Sequence, residues 1–150
     1  FSLGLYAIGV DTAIAATPGV AVLADVPTAA IPVDIQADAT PDFVALCRAA
    51  GVAIVHGDSA DYPALADVSG DFVYARLEDA REEEPAGYAP AALDRWRDVA
   101  RAWAAGGSPD GLPYVAEPAP VRPRDTFIFM INGAKVRAPH AAMALIERLG

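Results

Sequence analysis

The chain alternates short strand-forming runs with helical stretches, and this alternation restricts the fold more than any other feature. The clearest strand is predicted over 71–78, where β-branched and aromatic residues lie between Ser69-Gly70 and a charged stretch. Further strands are predicted over residues 126–133, 52–58 and 31–38, with weaker candidates at 2–10 and 19–25. These runs are almost continuously apolar, which is typical of parallel strands that are covered on both faces.

Helical signals separate these strands. Thr40 and Pro41 form an N-cap with proline at the first helical position, and Gly51 closes the helix that follows. Apolar residues three and four apart predict a second helix over 90–105 and a third over 139–149. Strands that alternate with helices in this order run parallel and are joined by crossover connections. The sequence therefore predicts an α/β fold with a parallel sheet.

Length and composition limit the class of protein. At 150 residues with 54% hydrophobic residues, the chain is too apolar to be disordered and long enough for one domain, residues 1–150. One Cys and two His argue against a disulfide framework and a structural zinc site, so no metal ligands are assigned. A net charge of -9 argues against nucleic acid as a partner, because phosphate backbones require basic surfaces.

The N-terminal stretch bears on location. Asp11 and Asp25 interrupt its apolar residues, so no run approaches the roughly 20 residues of a membrane-spanning helix. No basic residue precedes Arg48, so the positive region of a signal peptide is missing. We therefore expect a soluble, cytoplasmic protein without a membrane partner. Because the chain begins with Phe1 and not Met, we also expect its natural start to lie upstream.

Two segments do not follow the strand–helix alternation. Residues 106–125 contain a Gly-Gly pair and five Pro, and this Pro/Gly-rich excursion is longer than the roughly 2–6 residues of an ordinary helix-to-strand loop. We expect it to run over the surface. Residues 78–84 include five acids and directly follow a predicted strand. Loops in that position border the functional end of a parallel sheet.

Several features, taken in order, carry a resemblance to a known family. They are Asp58-Ser59, the run 72–77, Tyr88, Leu93, Trp96, the run 127–132 and the terminal helix that ends at Gly150. In this order they resemble the C-terminal half of the YecE-like family, domain of unknown function 72, over about residues 19–150. The resemblance implies a TIM-type (β/α) barrel whose activity is not established. We therefore expect a parallel-stranded, partial or diverged (β/α) barrel.

The sequence departs from this family at polar positions. Glu78-Asp79 stand where the family has His-Gly, and residues 34–37 stand where it has Glu-x-Arg-His. Where the last strand of the family ends in two Asn, this chain retains one, Asn132. In the final helix, Ala141-Ala142 stand where the family has Asn-Ala. Any activity of the family is therefore expected to be altered or absent here. The chain is also shorter than the roughly 250 residues of a complete barrel, so we expect open sheet edges, which a homo-oligomer would cover.

Strand alternation selects the candidate site. Polar side chains at the carboxyl ends of parallel strands converge on the crevice where barrels and doubly wound sheets bind ligands. The predicted ligand-binding residues are Arg76, Asp58, Glu78, Asn132, Asp34 and His56. Arg76 is the expected anchor, because its planar fork suits a carboxylate or a phosphate. The other interpretation is an internal pair with Asp58, Glu78 or Asp34 that only holds the strands in register.

The remaining candidates also carry two interpretations each. Glu78 is either a general acid or base, or a side chain that is solvated with the acidic loop or bound to Arg76. His56 is either a base oriented by Asp58, or a structural histidine with satisfied hydrogen bonds. Asp34, Asp58 and Glu78 could together hold a divalent cation through their oxygens, although their spacing is not diagnostic.

Three functional hypotheses follow from these residues. The leading one is a diverged YecE-like protein that binds a small anionic ligand at the ends of its strands. The alternative is a non-catalytic interaction or assembly module, in which the open edges and the 106–125 excursion serve assembly. A metal-dependent phosphoester hydrolase is the weaker alternative, because only analogy of fold supports it. The sequence assigns no reaction, no catalytic residue and no cofactor.

Overall fold

A computed structural model describes the side chains of residues 39–59, 64–131 and 134–150, except that of Lys135. It also describes the backbone of four N-terminal strands, which are β1 (Leu3–Ala7), β2 (Ile14–Thr17), β3 (Val20–Ala24) and β4 (Ala29–Val33). The later elements are α1 (Pro41–Ala50), β5 (Val55–Gly57), β6 (Phe72–Leu77), α2 (Pro90–Ala104), β7 (Asp125–Met130), a 3₁₀ turn (Lys135–Arg137) and α3 (Ala138–Leu149). The predicted α/β class is confirmed.

Local signals place the ends of the helices. The Thr40 side chain accepts a hydrogen bond from the N–H of Phe43 at 3.2 Å, and Pro41 follows in the first turn of α1. The helix ends at Gly51, whose backbone is left-handed with φ 65°. All three predicted helices are confirmed, with ends within one residue of the predicted positions. None of the helices described is both long and apolar enough to cross a membrane.

The main sheet has the strand order β2-β3-β7-β6-β5. Strands β3, β7, β6 and β5 run parallel, whereas β2 pairs antiparallel with β3 at one edge. Tyr74 in β6 lies opposite Val55 on one side and Phe127 on the other. The parallel pairing predicted for β5, β6 and β7 is confirmed. Among the described strands no ladder joins β5 to β2, so the sheet is open and does not close into a full barrel.

The predicted strand over 31–38 was expected in the parallel sheet, and this placement is wrong. β4 pairs antiparallel with β1 in a separate two-stranded sheet, where Leu3 lies opposite Val33. Pro32 has no N–H to donate, so it fits a two-stranded ribbon better than the interior of a larger sheet. Sequence reasoning also missed β2, which only two residues separate from β3. That connection is too short for the crossover that parallel strands require.

Alternation along β6 separates two apolar groups. Val73, Ala75 and Leu77 belong to the core formed with α2 and α3. The helices contribute Leu93, Trp96, Val99, Ala100 and Trp103 from α2, and Ala141, Ala142, Leu145 and Leu149 from α3. Tyr74 points to the opposite face and stacks on Phe129, with ring centroids 4.4 Å apart. The sheet therefore has one helix-covered face and one face with a separate aromatic cluster.

Residues 106–124 contain neither helix nor strand, and side chains from elsewhere in the fold hold this segment in place. The buried Asp67 carboxylate accepts hydrogen bonds from the N–H groups of Val115 and Ala116, both at 2.9 Å. Arg48 donates to the carbonyl of Glu117 at 2.9 Å. Charged side chains thus satisfy backbone N–H and C=O groups of this segment, which in a strand would be satisfied by the neighbouring strand.

Two glycines with positive φ allow a test of this arrangement. A methyl group at Gly51 would meet no described atom within 4 Å, so Gly51→Ala costs only the left-handed backbone, about 1–2 kcal/mol. Gly106 has φ 88°, and a methyl group there would overlap the backbone of Arg122. Overpacking adds about 1–3 kcal/mol to the backbone cost, so we expect Gly106→Ala to be clearly more destabilising. Urea unfolding measures both, and equal losses would contradict this packing.

Candidate functional site

The carboxyl ends of β5 and β6 lie side by side. Gly57 and Arg76 are opposite each other in the ladder, and the N–H of Asp58 donates to the carbonyl of Arg76 at 3.2 Å. This pairing places Asp58, Arg76 and Glu78 together at one end of the sheet. We call these three residues the rim cluster. It brings together three of the six side chains that the sequence predicted as ligand-binding residues.

An ion pair fixes Arg76 within the rim cluster. Its Nε donates to Oε1 of Glu78 at 3.0 Å, and the two side chains are only 18% and 12% exposed. Strand alternation places Arg76 on the same face as Tyr74, the face that does not pack on α2 and α3. The internal pair with Glu78 that the sequence suggested is therefore present. The arginine lies at the end of the aromatic cluster with its charge partly shielded from water.

Asp58 connects the end of β5 to the loop that follows β6. Its carboxylate accepts hydrogen bonds from the N–H of Glu78, the N–H of Asp79 at 3.2 Å and the hydroxyl of Tyr88 at 3.2 Å. Burial raises the pKa of Asp58, and these hydrogen bonds oppose that rise. Burial and the nearby Asp58 charge also raise the pKa of Tyr88, so its hydroxyl stays protonated as a donor.

Gly57 lies opposite Arg76 in the ladder and carries no side chain. A methyl group built on Gly57 would contact no described atom within 4 Å, and the residue does not have a positive φ. A side chain at this position would therefore occupy the space next to the arginine without straining the backbone. Sequence reasoning missed Gly57, since a glycine that ends a strand carries no chemical signal of its own.

His56 lies apart from the rim cluster. It is opposite Ala75 in the ladder and is 4% exposed, with its ring centroid 5.9 Å from that of Trp96 and 5.7 Å from that of Trp103. Its Nδ1 donates to the carbonyl of Leu65 at 3.3 Å. Burial lowers the pKa of His56 to about 4, so the ring is neutral at pH 7. These contacts make His56 part of the core, with Leu65 and two indoles as its neighbours.

The other predicted site residues, Asp34 and Asn132, lie outside the described residues. Within the described part of the chain, no group of three or more His, Cys, Asp or Glu side chains is placed to hold a metal ion. Tyr88 belongs to the site through its hydrogen bond to Asp58, although the sequence indicated it only through the family resemblance. Its position two residues before the first residue of α2 is the local signal that places it near the strand ends.

Fold and site together define an α/β protein whose parallel strands gather charged side chains at their carboxyl ends. A family model described as "Protein of unknown function DUF72" matches residues 35–150, and the chain belongs to this family. The match confirms the predicted resemblance to YecE-like proteins. No curated protein and no solved structure matches the chain.

His56 gives the fold a predictable response to acid. Its pKa is 6.5 in the unfolded chain and about 4 in the native protein, so between these values the unfolded chain binds the extra proton. The contribution of neutral His56 to the free energy of unfolding is fully present above pH 6.5. It falls by about 3 kcal/mol as the pH drops towards 4. We expect His56→Gln, which cannot titrate, to flatten that part of the curve.

Urea unfolding at half-unit steps of pH measures this response. His140→Gln is the matched control, because His140 is exposed and its replacement should leave the slope of the wild type unchanged. If His56→Gln and wild-type protein lose stability in parallel between pH 6.5 and 4, the buried histidine does not control the acid response.

Proposed function

We propose that the protein binds a small anion at the rim cluster, with Arg76 as the anchor. The observation that carries this proposal is the position of Arg76, partly shielded from water at the carboxyl end of a parallel strand and opposite Gly57, which carries no side chain. Ligands of parallel α/β proteins bind at that end of the sheet. Membership of DUF72 supplies a family without an assigned activity, so the proposal depends on the residues themselves.

Arg76 suits this role because a guanidinium carries five N–H donors in one plane. Its Nε donates to Glu78, which keeps the fork in a fixed orientation. A carboxylate or phosphate binds such a fork through two parallel hydrogen bonds, one to each of two oxygens, which are shorter and stronger than those between neutral groups. Glu78 then acts as a built-in counter-ion that orients the arginine and competes with the ligand for it.

Asp58 makes the proposed affinity depend on pH. Its carboxylate lies at the same strand ends, and its negative charge repels an anionic ligand. Since burial raises the pKa of Asp58, acidification neutralises this group before an ordinary surface carboxylate. Binding of an anion that keeps its charge, such as sulfate, should therefore strengthen as the pH falls into the range where Asp58 takes up its proton, which lies above that of an ordinary aspartate.

Replacement of the anchor tests the proposal. Sulfate and acetate are titrated at constant ionic strength by calorimetry in each protein, and in the wild type the Nε–H resonance of Arg76 is also followed by nitrogen-15 NMR. We expect a saturable shift, and at least tenfold weaker binding in Arg76→Lys, because the lost fork geometry is worth about 1.5–3 kcal/mol for bonds to a charged group. Glu78→Gln removes the competing carboxylate and should strengthen binding.

Arg97→Lys is the matched control, since Arg97 pairs with Asp94 and Asp98 on the surface of α2. It should bind both anions as the wild type does. Folded Arg76→Lys protein with unchanged affinity would reject Arg76 as the anchor. A loss of affinity in Glu78→Gln would show that the pair with Arg76 only maintains the strand ends.

The edge of the sheet supports a second candidate, an assembly module. β5 pairs with β6 on one side and has no strand partner on the other side among the described strands. Unpaired edges bind further strands readily, although an edge of three residues offers few hydrogen bonds. Sedimentation equilibrium up to high protein concentration distinguishes the two candidates, because a protein that remains strictly monomeric does not assemble through this edge.

A further inference from the structure

A cavity of about 190 Å³ lies at the amino ends of β6 and β7, the opposite end of the sheet from the rim cluster. Three arginines line it, Arg48 from the last turn of α1, and Arg122 and Arg124 from the segment that leads into β7. Ser69 and Gly70, which precede β6, line another side. We call this space the arginine cavity.

Within the described part of the chain, the hydrogen-bond partners of Arg48 and Arg124 are neutral backbone carbonyls. Arg48 donates to the carbonyls of Val68 at 3.1 Å and Glu117 at 2.9 Å. Arg124 donates to the carbonyls of Gly106, Arg122 and Pro120, at 3.4, 3.2 and 2.9 Å. Arg124 is only 5% exposed, and buried charges are normally paired with an opposite charge. No carboxylate among the described residues pairs with Arg48 or Arg124.

Arg124 also has an unsatisfied donor. Its Nε is buried and has no hydrogen-bond acceptor in the described part of the chain, although most buried donors in native proteins have one. Burial and the positive charge of Arg122 lower the pKa of Arg124. Among the described residues this buried guanidinium thus has no acceptor for its Nε and no carboxylate hydrogen-bonded to it, and the counter-charge that acts on it is that of the exposed Asp71.

Arg122 has a different setting from the other two. Its described partner is Asp71, and both side chains are largely exposed, at 53% and 87%. Three guanidinium charges thus surround the cavity with one exposed carboxylate beside them. This balance favours an occupant with two negative charges, and guanidinium forks match the geometry of phosphate oxygens.

We propose that the arginine cavity binds a phosphate group, either as inorganic phosphate or as the end of a small phosphate monoester. Its volume is below the roughly 300–1,000 Å³ of clefts that hold drug-sized ligands, so the occupant is little larger than the phosphate itself. The site is independent of the rim cluster, because the two lie at opposite ends of the same strands.

A structural role alone would also place arginines here, since Arg48 and Arg124 hold carbonyls of the 106–124 segment. Arg122 also belongs to this segment, and its exposed pair with Asp71 ties the segment to the start of β6. Asp71 separates the two explanations, because loss of its charge removes one tie of the segment and at the same time a competitor for the Arg122 guanidinium. Exposed ion pairs contribute little to stability, so removal of the Arg122 charge should weaken phosphate binding while leaving the unfolding midpoint nearly unchanged. Removal of the Asp71 charge should strengthen phosphate binding, which a purely structural arrangement does not predict.

Calorimetric titration of the full chain with inorganic phosphate, at constant ionic strength in chloride, tests the proposal. We expect saturable binding in the wild type, at least tenfold weaker binding in Arg122→Gln, and about threefold tighter binding in Asp71→Asn. Arg97→Gln is the matched control and should bind as the wild type does. The Nε–H resonance of Arg124 should shift on binding, and Arg76→Lys should leave this shift unchanged.

Glycerol phosphate in place of inorganic phosphate distinguishes the two forms of the ligand. Binding of both compounds supports a phosphate monoester, whereas binding of inorganic phosphate alone supports the free ion. The proposal is overturned if wild-type protein shows no saturable binding of phosphate, or if Arg122→Gln, folded with a wild-type unfolding midpoint, binds phosphate with unchanged affinity. Weaker binding in Asp71→Asn would equally overturn it.

Discussion

The pairing of β6 with a parallel neighbour on each side is the constraint on which the rest of the structure depends. Six residues of β6 pair with β7, and three pair with β5. A strand held on both sides cannot slip by one residue without turning every side chain to the wrong face. The register therefore keeps Ala75 and Leu77 in the helix-covered core and Arg76 on the opposite face. Any site at the ends of these strands inherits its geometry from that register.

Because the parallel strands run in a common direction, the two ends of the sheet are formed by different parts of the chain. At the carboxyl ends, Asp58 directly follows β5 and Glu78 directly follows β6. The Asp58 carboxylate accepts hydrogen bonds from the backbone N–H groups of Glu78 and Asp79. At the amino ends, the long 106–124 segment has no secondary structure of its own. Its carbonyls need donors, and Arg48 and Arg124 supply them. These bonds bring two of the three guanidinium groups to the arginine cavity, and Arg122, which belongs to the segment itself, is the third.

Short-range signals made part of this fold predictable. Thr40, Pro41 and Gly51 marked both ends of α1, and the alternation in 71–78 marked β6 and the face of Arg76. β4 pairs with β1, which lies at the start of the chain, and the apolar character of a strand does not identify the strand with which it pairs. The core position of His56 depends on Trp96 and Trp103, which lie far along the chain.

The arginine cavity was not predictable for the same reason. Arg48 and Arg122 are separated by more than 70 positions of sequence, and neither belongs to a motif. Tertiary structure alone brings them together, through a helix end and an irregular segment whose path no periodic pattern encodes. The rim cluster, in contrast, takes Arg76 and Glu78 from one strand end and Asp58 from the end of its parallel neighbour, so the common direction of the strands made their shared end of the sheet predictable.

Charge distinguishes the ligands that the two ends can hold. The chain carries a formal net charge of -9, so its overall field opposes anions, and local groups must overcome it. At the rim cluster the guanidinium of Arg76 is paired with Glu78, and the carboxylate of Asp58 lies at the same strand ends, so the local charge opposes an anion until Asp58 is protonated. At the arginine cavity three guanidinium groups face one carboxylate, and Arg124 is buried where charge interactions are least screened by water. A doubly charged phosphate is therefore better matched to the amino end of the sheet than to the carboxyl end.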